Sequence, residues 1–154
     1  MTTIAYRDGV LAADTQSTCG NHRQPGEAIK VAVGPMGLGT ACGSAAFCET
    51  WLAWVRGDEP ERPVPERADE HGGDCGILIH RDGRLQLFEH NGAHFPAGAY
   101  FAEGTGMGPA LGALYHGATA EQAIEAAIAL DVFSGGRVMA VRLADIPATQ
   151  AEAA

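Results

Sequence analysis

Met1-Thr2-Thr3-Ile4-Ala5-Tyr6-Arg7-Asp8-Gly9-Val10-Leu11-Ala12-Ala13-Asp14 opens the chain. Two apolar runs, 2–6 and 10–13, flank Arg7-Asp8-Gly9. Asp-Gly between such runs is a strong hairpin signal, because it accepts the positive φ angles of a tight turn. The stretch therefore reads as an antiparallel strand pair whose second strand delivers Asp14 at its end. Thr2 carries a further reading. It is small enough for cytosolic removal of Met1, and it would then hold a hydroxyl and a free α-amine on one residue. The hydroxyl is a nucleophile, and the amine, with an ordinary pKa near ~8, can serve as its base. The plain alternative is that Thr2-Thr3 only begins a strand, since threonine is a good strand former.

Beyond the hairpin, the polar residues 15–27, with Gly20, Pro25 and Gly26, read as a loop. Strands are expected at about 28–33 and 37–42 around Gly34-Pro35-Met36-Gly37. Ser44 can cap a helix to Arg56, with Phe47, Trp51, Leu52, Trp54 and Val55 as its apolar positions. Residues 57–73, with three prolines and eight charges, form an exposed loop. A second Arg-Asp-Gly turn at 81–83 joins strands at 75–80 and 84–90. A strand near 98–102 runs into Gly104-Thr105-Gly106-Met107-Gly108, followed by a helix at 109–115. Thr119 and Gln122 make a capping box for another helix to Leu130. A last strand spans 138–143, and the alanine-rich tail from Ala144 is expected to fray. Local hairpins with separated helices favour antiparallel sheets with helices outside, not a doubly wound parallel sheet.

The 154 residues suit one domain, 1–154. The net charge of −9 argues against nucleic acid and against an anionic membrane surface as partners. No apolar run is long enough to span a membrane, and no basic segment leads into an apolar one as in a signal peptide. Cysteines 19, 42, 48 and 75 show no CxxC spacing, so reduced thiols and a cytoplasmic location are expected. Of the 10 basic side chains only Lys30 is lysine, and it sits in the apolar run Ala28-Ile29-Lys30-Val31-Ala32-Val33. It either points to solvent or acts as a tuned point charge or base.

The glycine run at 104–108 precedes a helix but lacks both GxGxxG and the Lys-Ser/Thr of a P-loop, so no nucleotide cofactor is expected. His71, His80, His90, His94 and Cys75 lack zinc-ligand spacing apart from the weak His90-x-x-x-His94, so no metal is expected. No Gly-x-Ser-x-Gly nucleophile elbow occurs.

Thr2-Thr3-Ile4, the strand ending Ala13-Asp14, Lys30-Val31, Ala102-Glu103-Gly104-Thr105-Gly106 and Leu130-Asp131-Val132-Phe133-Ser134-Gly135 follow one another in an order that resembles proteasome β-subunits. The likeness is greater to their bacterial relative HslV. It implies an α+β fold of the N-terminal-nucleophile hydrolase type, an αββα sandwich with two antiparallel sheets between helical layers. It implies a threonine endopeptidase with Thr2 as nucleophile and Lys30 as the charge that favours its ionised hydroxyl. Asp14 would pair with Lys30, and Thr105, Asp131 and Ser134 would hold the α-amine and its water. A backbone N–H near Thr40, which stands where the family usually has glycine, would stabilise the oxyanion. The implied substrate is a peptide or unfolded protein, inside a homo-oligomeric ring. An ATP-dependent unfoldase as partner stays open, since the 57–73 loop replaces a helix that meets it in the bacterial relative. A Trp51/Trp54 helix face is the expected ring contact. Two alternatives remain: a small-molecule amidohydrolase of the same fold, and an inactive self-assembling relative that retains Met1.

Overall fold

In the computed structural model, which describes residues 1–67 and 73–148, the Asp-Gly turn forms as expected. Asp8 and Gly9 take φ of 50° and 78°, and Arg7 lies opposite Val10. The turn joins β1 (Thr3–Arg7) to β2 (Val10–Asp14). His71, with the rest of 68–72 in the predicted loop, and residues 149–154 of the tail lie outside the described residues.

The chain divides into two compact units. The first comprises Met1–Val31 and Gly98–Ala140. It holds β1, β2, β3 (Gln16–Cys19), β4 (His22–Glu27), β10 (Tyr100–Gly104), α2 (Met107–Tyr115) and α3 (Ala120–Leu130). β11 (Val138–Arg142) completes a four-stranded sheet in the order β10-β1-β2-β11, while β3 and β4 pair separately. Ala5, Ala12 and Ala102 of the sheet pack with Ala110, Leu114, Ala123, Ile124 and Ala127 of the helix pair. Alanine on both sides lets the backbones approach closely. α3 starts at the predicted capping box, with Thr119 and Gln122 bonded reciprocally.

The second unit comprises Ala32–Ala97 and Val141–Ala154. Its sheet runs β5 (Val31–Gly34), β6 (Gly37–Cys42), β7 (Cys75–Ile79), β8 (Leu85–Glu89) and β9 (Gly92–His94), in that order. α1 (Ala45–Arg56) begins at Ser44, whose hydroxyl accepts from Phe47 N–H, and ends at Gly57 in the left-handed region. Trp51 is fully buried, with ring centroids 5.8, 5.0 and 5.2 Å from Phe47, Trp54 and Phe88. Its Nε1 donates to the Ile77 carbonyl at 3.3 Å.

Gly76 lets this indole lie on the sheet, since a Cβ there would meet three Trp51 ring atoms at 2.4–2.6 Å. Gly76→Ala is therefore expected to destabilise by about 1–3 kcal/mol, because a rigid buried ring cannot yield. Gly108→Ala in α2, where nothing lies within 4 Å, is expected to stabilise by roughly 0.5–1 kcal/mol. Denaturant midpoints of the two variants check the opposite signs.

Several expectations are corrected. The αββα sandwich is not found. Among the described residues the chain is a small β-rich fold of three mostly antiparallel sheets with only three short α-helices, of 12, 9 and 11 residues. One unit carries a helix pair and the other a single helix, too little helix for the enclosing layers that were expected. Residues 15–27 are not a loop but the β3–β4 hairpin, closed by Gly20-Asn21 between Cys19 and His22. Lys30 lies in the connection ahead of β5, not within a strand. The Trp51 and Trp54 face is core, not surface. The first part of the tail is docked rather than frayed: Ile146 is buried, and Arg81 donates to the Pro147 carbonyl at 2.7 Å. Among the described residues no helix is long and apolar enough to cross a membrane.

Candidate functional site

The hairpin carries Asp14 into the interior of the first unit, where its side chain is 0% exposed. Oδ1 accepts from Thr3 N–H at 3.0 Å and from Lys30 Nζ at 2.7 Å. Oδ2 accepts from Gln16 N–H at 3.2 Å and Gly135 N–H at 3.1 Å. Four donors converge on one carboxylate, which is the arrangement a buried charge requires. Lys30 is buried as well, and its Nζ also donates to the Met1 carbonyl at 2.9 Å. The ammonium thus ends on the peptide group joining Met1 to Thr2.

A second set of bonds starts one residue further on. Thr3 Oγ1 accepts from Gly106 N–H at 2.9 Å and lies 2.7 Å from Ser134 Oγ. Ser134 Oγ in turn donates to Asp131 Oδ2 at 2.7 Å. Because the Ser134 proton is used there, Thr3 must be the donor to Ser134 Oγ. Thr105 N–H donates to the Thr2 carbonyl at 3.1 Å, and the Thr105 side chain bonds Asp131. Gly106 has no room for a side chain: a Cβ would meet Ser134 Oγ, Ala127 Cβ and Thr3 Oγ1 at 2.7–2.8 Å. The glycine run at 104–108 is thereby accounted for in part by close packing on Thr3.

Burial acts to raise the Asp131 carboxyl. Hydrogen bonds from Ser134, Thr105 and the Phe133 N–H oppose it and hold the group below its ordinary value of 3.8. A carboxyl lowered on folding contributes stability that is present above the unfolded value and lost as pH falls through the folded one. Wild type is therefore expected to lose stability below about pH 3.8 more steeply than Asp131→Asn. Urea melts of both proteins between neutral pH and pH 3 read the difference in slope.

Of the predicted site residues, Thr2, Asp14, Lys30, Thr105, Asp131 and Ser134 all lie in the first unit and are linked by the bonds above. Thr40 belongs to the second unit, buried on β6 opposite Ile77. The sequence reading missed Thr3, which is fully buried and whose hydroxyl contacts Ser134, a residue assigned to its neighbour. The signal was present. Strand alternation puts Thr3 on the same face as Ala5, which packs against the helix pair, and a hydroxyl on that face needs partners.

The described histidines are dispersed. His80 bonds Gln86 at 2.8 Å, and His94 lies 3.8 Å from Glu89. Among the described residues no group of three or more His, Cys, Asp or Glu is arranged to hold a metal ion.

No protein-family model matches the chain, and no curated protein matches it. Solved structures do. Thiobacillus denitrificans BPH in complex with epoxomicin superposes with a TM-score of 0.65 at 18% identity, over 92% of this chain and 98% of that one. A second structure of Thiobacillus denitrificans BPH gives 0.64 at 19%, over 92% and 97%. At these identities the likeness is one of fold.

Proposed function

We propose that the chain is a threonine-type endopeptidase, with Thr2 as the nucleophile once the Met1–Thr2 bond has been cut. The observation that carries this reading is Lys30 Nζ, held 2.7 Å from Asp14 and 2.9 Å from the Met1 carbonyl. A buried cation is thereby fixed beside the one residue that gains an amine when Met1 leaves. In this reading the α-amine takes the proton of the Thr2 hydroxyl while Oγ1 attacks a peptide carbonyl. Lys30 favours the ionised oxygen. The amine then gives the proton to the departing peptide amine, and water hydrolyses the ester. Thr105, Asp131 and Ser134 hold the strand start in place through Thr2 and Thr3.

The resemblance to proteasome β-subunits and HslV adds assembly into a homo-oligomeric ring acting on peptides or unfolded proteins in the cytoplasm. The exposed apolar side chains Tyr115, Leu130 and Val132 of the first unit suit burial by further copies.

The test combines intact mass with hydrolysis of fluorogenic peptides, using epoxomicin as a probe and Thr2→Ala as a blank. The expected result is a chain beginning at Thr2, with peptide turnover that epoxomicin blocks and Thr2→Ala lacks. Turnover by a chain that keeps Met1, or by Thr2→Ala, overturns the mechanism. A chain that keeps Met1 quantitatively and cleaves nothing is an inactive, self-assembling relative. Turnover of small amides by a dimer, without peptide turnover, identifies an amidohydrolase instead.

A further inference from the structure

β6 and β7 pair antiparallel in direct register, and Cys42 stands opposite Cys75 at one end of the ladder. Directly opposed residues have Cα atoms about 4.5–5.5 Å apart and side chains on one face. That separation lies within the about 4.4–6.8 Å that a disulfide spans.

The neighbouring residues define the face. Ala41 and Leu78 pack in the cluster around α1, and Gly76 lies against Trp51. By alternation, Leu38, Thr40 and Cys42 on β6, and Cys75, Ile77 and Ile79 on β7, occupy the other face. Cys48 is part of α1 and packs on the α1 cluster, across the sheet from the pair. Cys19 is exposed at the end of β3, in the other unit. Along the ladder, Leu38, Thr40, Ile77 and Ile79 are fully buried, whereas Cys42 and Cys75 are only partly buried. Both cysteines are thiols in this structure, at the end of the β6–β7 ladder where burial relaxes.

We propose that Cys42 and Cys75 form an oxidisable dithiol that reacts with a low-molecular-weight disulfide, such as glutathione disulfide, and closes into a cross-strand bridge. One protein thiolate attacks glutathione disulfide, forming a mixed disulfide and releasing one glutathione. The second thiolate attacks the protein sulfur of that mixed disulfide and releases the other glutathione. The dithiol loses two electrons and two protons, and the two glutathiones gain them. The reaction is reversible by excess glutathione.

The bridge joins the two ends of a segment that contains α1. That segment is already tied at the same place, since Asp74, next to Cys75, accepts Ser44 N–H at 2.8 Å, two residues beyond Cys42. Oxidation would make this closure covalent.

The full chain equilibrated in glutathione redox buffers, alkylated and weighed intact, tests the proposal. Oxidised wild type is expected to lose two hydrogen atoms and to yield a Cys42–Cys75 cross-linked peptide. Its melting temperature should rise by roughly 5–10 °C, as for a bridge closing a loop of about 30 residues. The Cys19→Ser/Cys48→Ser double variant should behave in the same way. In Cys42→Ser the remaining Cys75 should keep one glutathione, with no melting shift. Stable glutathione adducts on both Cys42 and Cys75 of wild type overturn the proposal. So does a cross-link mapped to Cys19 or Cys48, or an unchanged Cys42/Cys75 pair while Cys19 is modified. Each of these readouts comes from wild type, whatever the folding of the serine variants.

Discussion

Lys30→Arg is expected to lower peptide turnover on the order of ~10²-fold or more, about 3 kcal/mol in barrier height, while the fold survives. Lys30 Nζ is a compact donor that reaches Asp14 and the Met1 carbonyl from one point. A guanidinium spreads its donors over a wide planar fork and cannot place its charge at that point. The site leaves little slack, since the residue is 7% exposed. Asp14 still faces a positive charge, so the variant avoids an orphaned buried carboxylate, and the stability cost stays near the ~1–3 kcal/mol of overpacking. The measurement is turnover of a fluorogenic peptide by the folded variant, with Thr2→Ala as background. If arginine changes turnover by less than about twofold, within the ±0.5 kcal/mol of inconsequential substitutions, Lys30 has no part in the chemistry. The resemblance would then describe sequence alone.

Asp14→Asn is expected to be the most destabilising single change in the first unit, at roughly 3–5 kcal/mol. The carboxylate accepts Thr3 N–H and Lys30 Nζ on one oxygen, and Gln16 N–H and Gly135 N–H on the other. A carboxamide has one oxygen. Whichever way it is turned, its NH₂ group faces two donors, and the Lys30 ammonium loses its counter-charge. Against a typical total of about 5–15 kcal/mol, the variant retains a thin margin. Denaturant melts measure the loss. Adding Lys30→Met removes the orphaned cation and should recover part of it, as neighbouring groups are non-additive. A loss below about 1 kcal/mol in Asp14→Asn would mean that the pair is not the fixed point on which the site is built.

The elements with chemical punctuation were legible. Asp8-Gly9 marked the first hairpin, Ser44 opened α1, and Thr119 with Gln122 opened α3. The β3–β4 hairpin was not, because β4 is exposed along its whole length and so lacks apolar alternation. Gly20-Asn21 was its only mark. The Trp51 and Trp54 face was read as a contact surface because helix periodicity finds an apolar face but not what covers it. The five-stranded sheet supplied the cover. The sandwich expectation failed for a related reason, since local patterns count strands but do not say how many sheets they sort into. Asp14 with Lys30 was legible through the resemblance, and their pairing is found. Thr3 was overlooked because the chemistry of an amine and hydroxyl on one residue drew the reading to Thr2.

The bonds from Gly106 through Thr3 and Ser134 to Asp131 have a single polarity. Each hydroxyl receives on one side and gives on the other, and the sequence ends on a carboxylate. Aligned dipoles of this kind reinforce one another. Gly106 is also the residue at which α2 starts. Charge at Asp131 is therefore felt at the first turn of α2. Protonating Asp131 removes the charge that sets the direction, and the Gly106 amide resonance should move with the same midpoint. A backbone amide thus serves as a remote electrode for the ionisation of a side chain 25 positions further along the chain.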